Sequence, residues 1–227
     1  MTTTTLQTPR RPLRAGFAAT LAVVLAGCGG GDGGTGKASA SSPAVERLCG
    51  EASVPAHAGE ALELILDAKR VDIRDDASTL ADAVEEADSS RPHTTIDGGQ
   101  ICALSSSPAS GGERVSVFWA LTAKPKEALE PKFTVLPMGE QAGAAWDSAR
   151  LTFGCADAGD APGASPDHVT VSVRTETDYI EPSEKTKVLA LKNAYATVAH
   201  TFALAMARVM GCRDDAGLPA EPVLKPA

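Results

Sequence analysis

Residues 183–210 read SEKTKVLALKNAYATVAHTFALAMARVM. Leu191, Tyr195, Val198, Phe202, Met206 and Val209 recur at steps of four, three, four, four and three. That spacing puts them on one face of a helix. Pro182-Ser183 supplies an N-terminal stop and cap, and Gly211 supplies a C-terminal one. The stretch predicts a long helix over 183–210. Ala194, Ala199, Ala203 and Ala205 are small enough to let it approach a sheet closely, and Cys212 follows at once, where a disulfide would pin its end.

The sheet is expected upstream. Arg114–Thr122 (RVSVFWALT) alternates Val115, Val117 and Trp119, and His168–Thr175 (HVTVSVRT) alternates Val169, Val171 and Val173 against polar partners. Both are patterns of half-buried strands. Lys132–Leu136 and Arg150–Phe153 are shorter candidates, and Ser110-Gly111-Gly112 and residues 161–167 read as turns. Nearer the N-terminus, Gly59–Lys69 carries Leu62, Ile65, Leu66 and Lys69 at helical steps, with a competing strand reading through Leu62, Leu64 and Leu66. Ser78–Ala87 has Leu80, Ala83, Val84 and Ala87 on one helical face. The expectation is an α+β fold: an antiparallel sheet of three to five strands packed against a long C-terminal helix and N-terminal helices, with two disulfides.

Composition agrees with one folded domain. The chain has 227 residues, of which 43% are hydrophobic but only 4% aromatic, so the core must be built from Ala, Val and Leu. Small side chains bury less apolar area per residue, at about 25 cal/mol per Å², and covalent staples would compensate. The formal charge is -8, and none of the 29 acids precedes Cys28 while Arg10, Arg11 and Arg14 do. The part after Cys28 is therefore still more acidic, which argues against binding nucleic acid.

The first 28 residues have three parts. A polar segment with three arginines leads into the uncharged run AGFAATLAVVLAG (15–27), and this ends in Leu25-Ala26-Gly27-Cys28. A basic n-region and a short apolar h-region mark a secretory signal, and the run is shorter than the roughly 20 apolar residues of a membrane span. Arg10-Arg11 sits beside Pro12 and Arg14, which fits Sec export better than the twin-arginine route. Residues 29–43 (GGGDGGTGKASASSP) have no periodicity and nothing to bury, so they read as a flexible tether with an r.m.s. reach of roughly 20 Å. The expected organisation is a signal over 1–27, Cys28 and the tether over 28–44, one domain over 45–213, and a frayed, proline-containing tail over 214–227.

Cys28 apart, four cysteines remain: Cys49, Cys102, Cys155 and Cys212, at spacings of 53, 53 and 57 residues. An even number in an exported domain reads as two disulfides with three possible connectivities. Pairing Cys49–Cys102 and Cys155–Cys212, each closing one half of the domain, is the favoured one. No close pair of the C-x-x-C kind suggests a zinc site, and no metal or other cofactor is implied.

Catalytic patterns do not emerge. His57, His93, His168 and His200 form no HExxH or His/Cys cluster. His200 reads as a packed or surface residue of the long helix, and His168 as an exposed residue opening a strand. Gly-x-Ser-x-Gly is absent, and Ser183-Glu184-Lys185 falls one residue short of S-x-x-K. Asp72, Asp75 and Asp76, and Asp157 with Asp160, lack calcium-loop order and read as solvated charge.

Leu25-Ala26-Gly27-Cys28 resembles the lipobox of bacterial prolipoproteins. Together with the Gly/Ser tether, Cys49-Gly50, the strand-like ICAL around Cys102 and a closing helix ending in Gly211-Cys212, it makes the chain similar to secreted lipoproteins of actinobacteria, Streptomyces in particular. The first-half Cys–helix–Cys arrangement resembles the DUF3558 group, although Cys102-Ala103-Leu104 stands where that group often carries Cys-x-Trp. The resemblance implies that a diacylglyceryl group is attached to the Cys28 thiol and that the signal is then cut between Gly27 and the modified Cys28, which anchors the protein to the membrane's outer face. Two acyl chains suffice for stable anchoring where one does not. The functional expectation is a non-enzymatic envelope module that binds a protein partner or cell-wall ligand. The alternative is a surface hydrolase with dispersed catalytic residues.

Overall fold

The computed structural model describes residues 49, 55–68, 71–73, 78–90, 98–106, 114–155, 167–176 and 182–227. The expected export signal with Leu25, Ala26, Gly27 and Cys28, the expected Gly/Ser tether, His93, the expected turn at Ser110-Gly111-Gly112, and the acids Asp75, Asp76, Asp157 and Asp160 lie outside them.

Among the described residues, seven antiparallel strands form one sheet. They are β1 (Asp72–Ile73), β2 (Gly98–Ser105), β3 (Arg114–Thr122), β4 (Thr134–Leu136), β5 (Gln141–Ala144), β6 (Ser148–Gly154) and β7 (His168–Thr175), in the order β1-β2-β3-β7-β6-β5-β4. The two most strongly alternating segments become adjacent central strands, pairing from Val115↔Thr175 to Thr122↔His168. The sheet exceeds the expected three to five strands because β1, β2 and β5 are short or glycine-bearing and carry little alternation. After β3 the chain crosses to the far edge through residues 123–133 and returns as the meander β4–β7.

One face of the sheet is apolar and one polar, as expected of an antiparallel sheet covered on a single side. Val117, Trp119 and Leu121 of β3, Val169, Val171 and Val173 of β7, and Leu151 and Phe153 of β6 are buried. Against them packs α3 (Lys185–Val209), which lies on β5, β6 and β7. The helix α1 (Ala56–Ile65) packs on α3, and α2 (Leu80–Ser90) packs on β2 and β3. With neighbours on more than one side, α3 buries a wider stripe than a single helical face, including Ala194, Ala196, Ala199, Ala203 and Ala207.

The ends of the helices are set by local chemistry. α1 starts at Ala56 behind Pro55, earlier than Gly59. Leu62 is buried while Leu64 is 43% exposed, so the competing strand reading, which needs both on one face, fails. α2 opens with a capping box. Thr79 Oγ1 accepts from the Asp82 N–H (3.2 Å), and the Asp82 carboxylate accepts from the Thr79 N–H (3.0 Å) and hydroxyl (2.7 Å). Those bonds hold the Asp82 carboxyl below its ordinary pKa.

The expected cap at Ser183 is not formed. The N-cap of α3 is Glu184 and no side chain caps it, because the helix begins one turn-step beyond Pro182. At the other end Gly211 is the expected left-handed cap, at φ +68°. The Gly211 N–H donates to Arg208 O (3.1 Å) and the Cys212 N–H to Ala207 O (2.9 Å), the paired bonds of a Schellman motif. Met210 is buried and Val209 is 49% exposed, so the buried stripe ends one residue later than the spacing indicated.

Both favoured disulfides are present. Cys49–Cys102 and Cys155–Cys212 have Cα–Cα distances of 5.5 and 5.0 Å. The second joins the residue after β6 to the residue after the Gly211 cap, tying the sheet to the end of α3.

The C-terminal segment corrects the expectation of a frayed tail. Residues 213–217 make a turn in which Asp214, Asp215 and Ala216 all have positive φ, and Leu218 enters the core at 7% exposure. The chain then runs past α1 and α3 to the free edge of the sheet, where the Ala227 N–H donates to Val135 O (3.3 Å). Prolines end helices and strands, but they do not prevent an extended segment from docking.

Candidate functional site

The histidines separate into two structural roles. His168 is buried, contrary to the expected exposure, and its Nδ1 lies 2.6 Å from Asp167 Oδ1. A carboxylate in that position can orient an imidazole for base catalysis. No hydroxyl of a described residue bonds its Nε2, however, and the nearby hydroxyls of Thr122, Thr152 and Thr170 bond one another instead, at 2.8 and 3.2 Å. His200 is 1% exposed, and its Nε2 lies 2.8 Å from Pro219 O. Burial pushes its pKa below the ordinary value of 6.5. His57 on α1 lies 3.7 Å from Glu221. His200 and His57 thus hold the C-terminal segment against the helices. No group of three or more His, Cys, Asp or Glu is placed to hold a metal among the described residues.

Among the described residues, two grooves are of a size to hold a small ligand. The first lies on the helix-free face of the sheet, a groove of about 470 Å³ whose lining includes Phe118, Lys132, Phe133, Arg150, Ser172 and Arg174. The crossover 123–133 forms its wall. Leu129 lies so close over Gly143 that a Cβ there would be 2.5 Å from Leu129 Cδ1. Arg174 stacks on Phe118 at 4.4 Å. Lys132 is 3.9 Å from Asp147, so part of this groove's charge is already paired.

The second groove lies at the β4 edge of the sheet. It measures about 380 Å³ and runs between the first turns of α3, strands β4 and β5, and the C-terminal segment. Leu136, Ala144, Val188, Leu189, Leu224 and Pro226 supply apolar walls, and the charged residues of the lining are Lys185 and Lys192. On α3 these lysines are seven residues apart with Val188 and Leu189 between them, so all four share a face. Lys192 Nζ donates to Thr134 Oγ1 at 3.1 Å. Neither lysine has an acidic partner within ion-pair distance among the described residues. Leu189 is 59% exposed, an uncovered apolar side chain at the rim. Sequence reasoning missed this site because its walls come from residues near 135, 189 and 225, and only the docked tail brings the last of these in.

Comparison with known proteins adds no relative: no family model, no curated protein and no solved structure matches this chain. The fold and grooves define it as a two-disulfide α+β domain with an edge groove walled in part by its own C-terminal segment. No helix among the described residues is long and apolar enough to cross a membrane.

Proposed function

We propose that this chain is a lipid-anchored protein of the cell envelope, held at the outer face of the cytoplasmic membrane by an acylated Cys28, and that it acts there as a non-enzymatic binding module. The location rests on Leu25-Ala26-Gly27-Cys28 behind a basic segment and a short apolar run, and on the resemblance to actinobacterial lipoproteins. Pairing of the other four cysteines supports an oxidising compartment. The binding role rests on one observation: an apolar groove with two lysines and no carboxylate among the described residues of its lining, on a chain of net charge -8. Preformed apolar concavities with a few oriented polar groups are the usual form of small-ligand sites.

The anchor is tested by metabolic labelling with a fatty-acid analogue and mass spectrometry of the mature N-terminus. The expected result is an acylated N-terminal Cys28, and release of the protein from membranes by Cys28→Ala. Recovery of the native polypeptide from the cytosol with Met1 attached would refute it.

A further inference from the structure

We infer that the edge groove binds a single-chain anionic amphiphile, with its hydrocarbon along Leu136, Val188 and Leu189 and its head group at the Lys185 end of the groove, where Lys192 adds charge of the same sign. This rests on the reading of the groove as the binding site and adds the chemistry of the ligand. Three features select that chemistry. The volume, about 380 Å³, is near the lower end of the roughly 300–1,000 Å³ typical of small-ligand sites, which suits one alkyl chain better than two. The charge is of one sign. Among the described residues no carboxylate is in the lining, Glu184 and the terminal carboxylate of Ala227 included.

The head-group end also has an uncapped helix start. α3 begins at Lys185 with no side chain capping it. Its first amides therefore add partial positive charge beside the lysine. Lys192 is already oriented by Thr134, which leaves two of its three donors for an anion. A neutral or cationic apolar ligand would gain nothing from either ammonium group.

The test is calorimetric titration of the full-length Cys28→Ala protein, prepared without detergent, with dodecanoate, dodecanol and dodecyltrimethylammonium, each below its micelle concentration. Dodecanoate is expected to bind saturably at one per chain and at least tenfold more tightly than either comparator. The Lys185→Gln/Lys192→Gln variant should lose that preference while keeping its dodecanol affinity. Leu189→Asp, at an exposed position that the fold does not depend on, should weaken dodecanol by removing apolar wall and dodecanoate further still by adding like charge. Equal binding of dodecanoate and dodecanol, or an unchanged double-Gln variant, would overturn the anionic ligand and leave the groove as a binding site. Absence of binding by all three to protein with a cooperative thermal transition would overturn both. A dimer that Leu189→Asp dissociates would overturn the proposal too, by giving the groove to a second copy.

Discussion

The imidazole of His200, in the middle of α3, donates a hydrogen bond from Nε2 to the backbone carbonyl of Pro219, 2.8 Å away. A carbonyl can only accept, so Nε2 carries the proton and the neutral ring is the tautomer with a bare Nδ1. Burial holds the pKa of His200 below 6.5. The unfolded chain therefore binds this proton at a higher pH than the folded one. The stabilisation is complete above about pH 6.5 and is lost as pH falls from there toward the depressed folded value. Thermal unfolding at pH 7.5, 6.5 and 5.5 should show a falling Tm, with a shallower fall in His200→Gln. The variant comparison separates His200 from the other histidines. Parallel curves would refute the assignment.

Cys155–Cys212 closes a loop with a sequence separation of 57 residues. Chain entropy assigns such a bridge about 4 kcal/mol. For a domain of this size that corresponds to a Tm loss of roughly 10 °C. Cys155→Ala/Cys212→Ala should show a loss of that order by calorimetry, and the end of α3 should lose amide-exchange protection first. A change below about 2 °C would mean that packing alone holds the helix end.

Two glycines with positive φ should respond differently to alanine. At Gly139 (φ +59°) a Cβ would sit 2.5 Å from Thr152 O, the carbonyl that accepts the Glu140 N–H. Backbone cannot move aside cheaply, and Gly139→Ala should cost roughly 3 kcal/mol. At Gly211 (φ +68°) a Cβ meets nothing within 4 Å, so only the left-handed conformation is penalised. Gly211→Ala should cost about 1 kcal/mol. Denaturant titration of both variants tests the order, which would fail if the two costs were equal.

One substitution to glycine should stabilise. Asp214 is exposed and held at φ +51° in the turn that starts the C-terminal segment. Glycine removes the steric cost of that conformation, about 1 kcal/mol, against a partly offsetting gain in unfolded-chain entropy. Asp214→Gly should raise stability by about 0.5 kcal/mol, measured by urea titration. A decrease would show that the Asp214 side chain contributes to the turn.

Much of the secondary structure is readable from residue order because its causes are local. Alternation along 114–122 and 168–175 places two central strands to the residue. The three-four spacing of large apolar residues places α3 to within two residues at its start and one at its end. β5 (QAGA) has no β-branched residue, and β2 opens with Gly98-Gly99, so neither carries a strong strand signal. They become strands because neighbours require it. Gly143 fits beneath Leu129 and Phe133, and Gly98 lies where a Cβ would meet Trp119 O at 2.6 Å.

Residue order by itself therefore determined the fold class, the two central strands, the long helix with its Gly211 cap, and an even set of cysteines for two bridges, whose connectivity it left open among three. Each depends on contacts within a few residues or on spacing along the chain. Tertiary structure alone decided that the last residues dock, that His168 and His200 are buried, and that Lys185 and Lys192 flank an apolar groove. The physical reason is distance along the chain. Thr134, Leu189 and Leu224 become neighbours only after the sheet has placed β4 at its edge and Leu218 has drawn the C-terminus into the core.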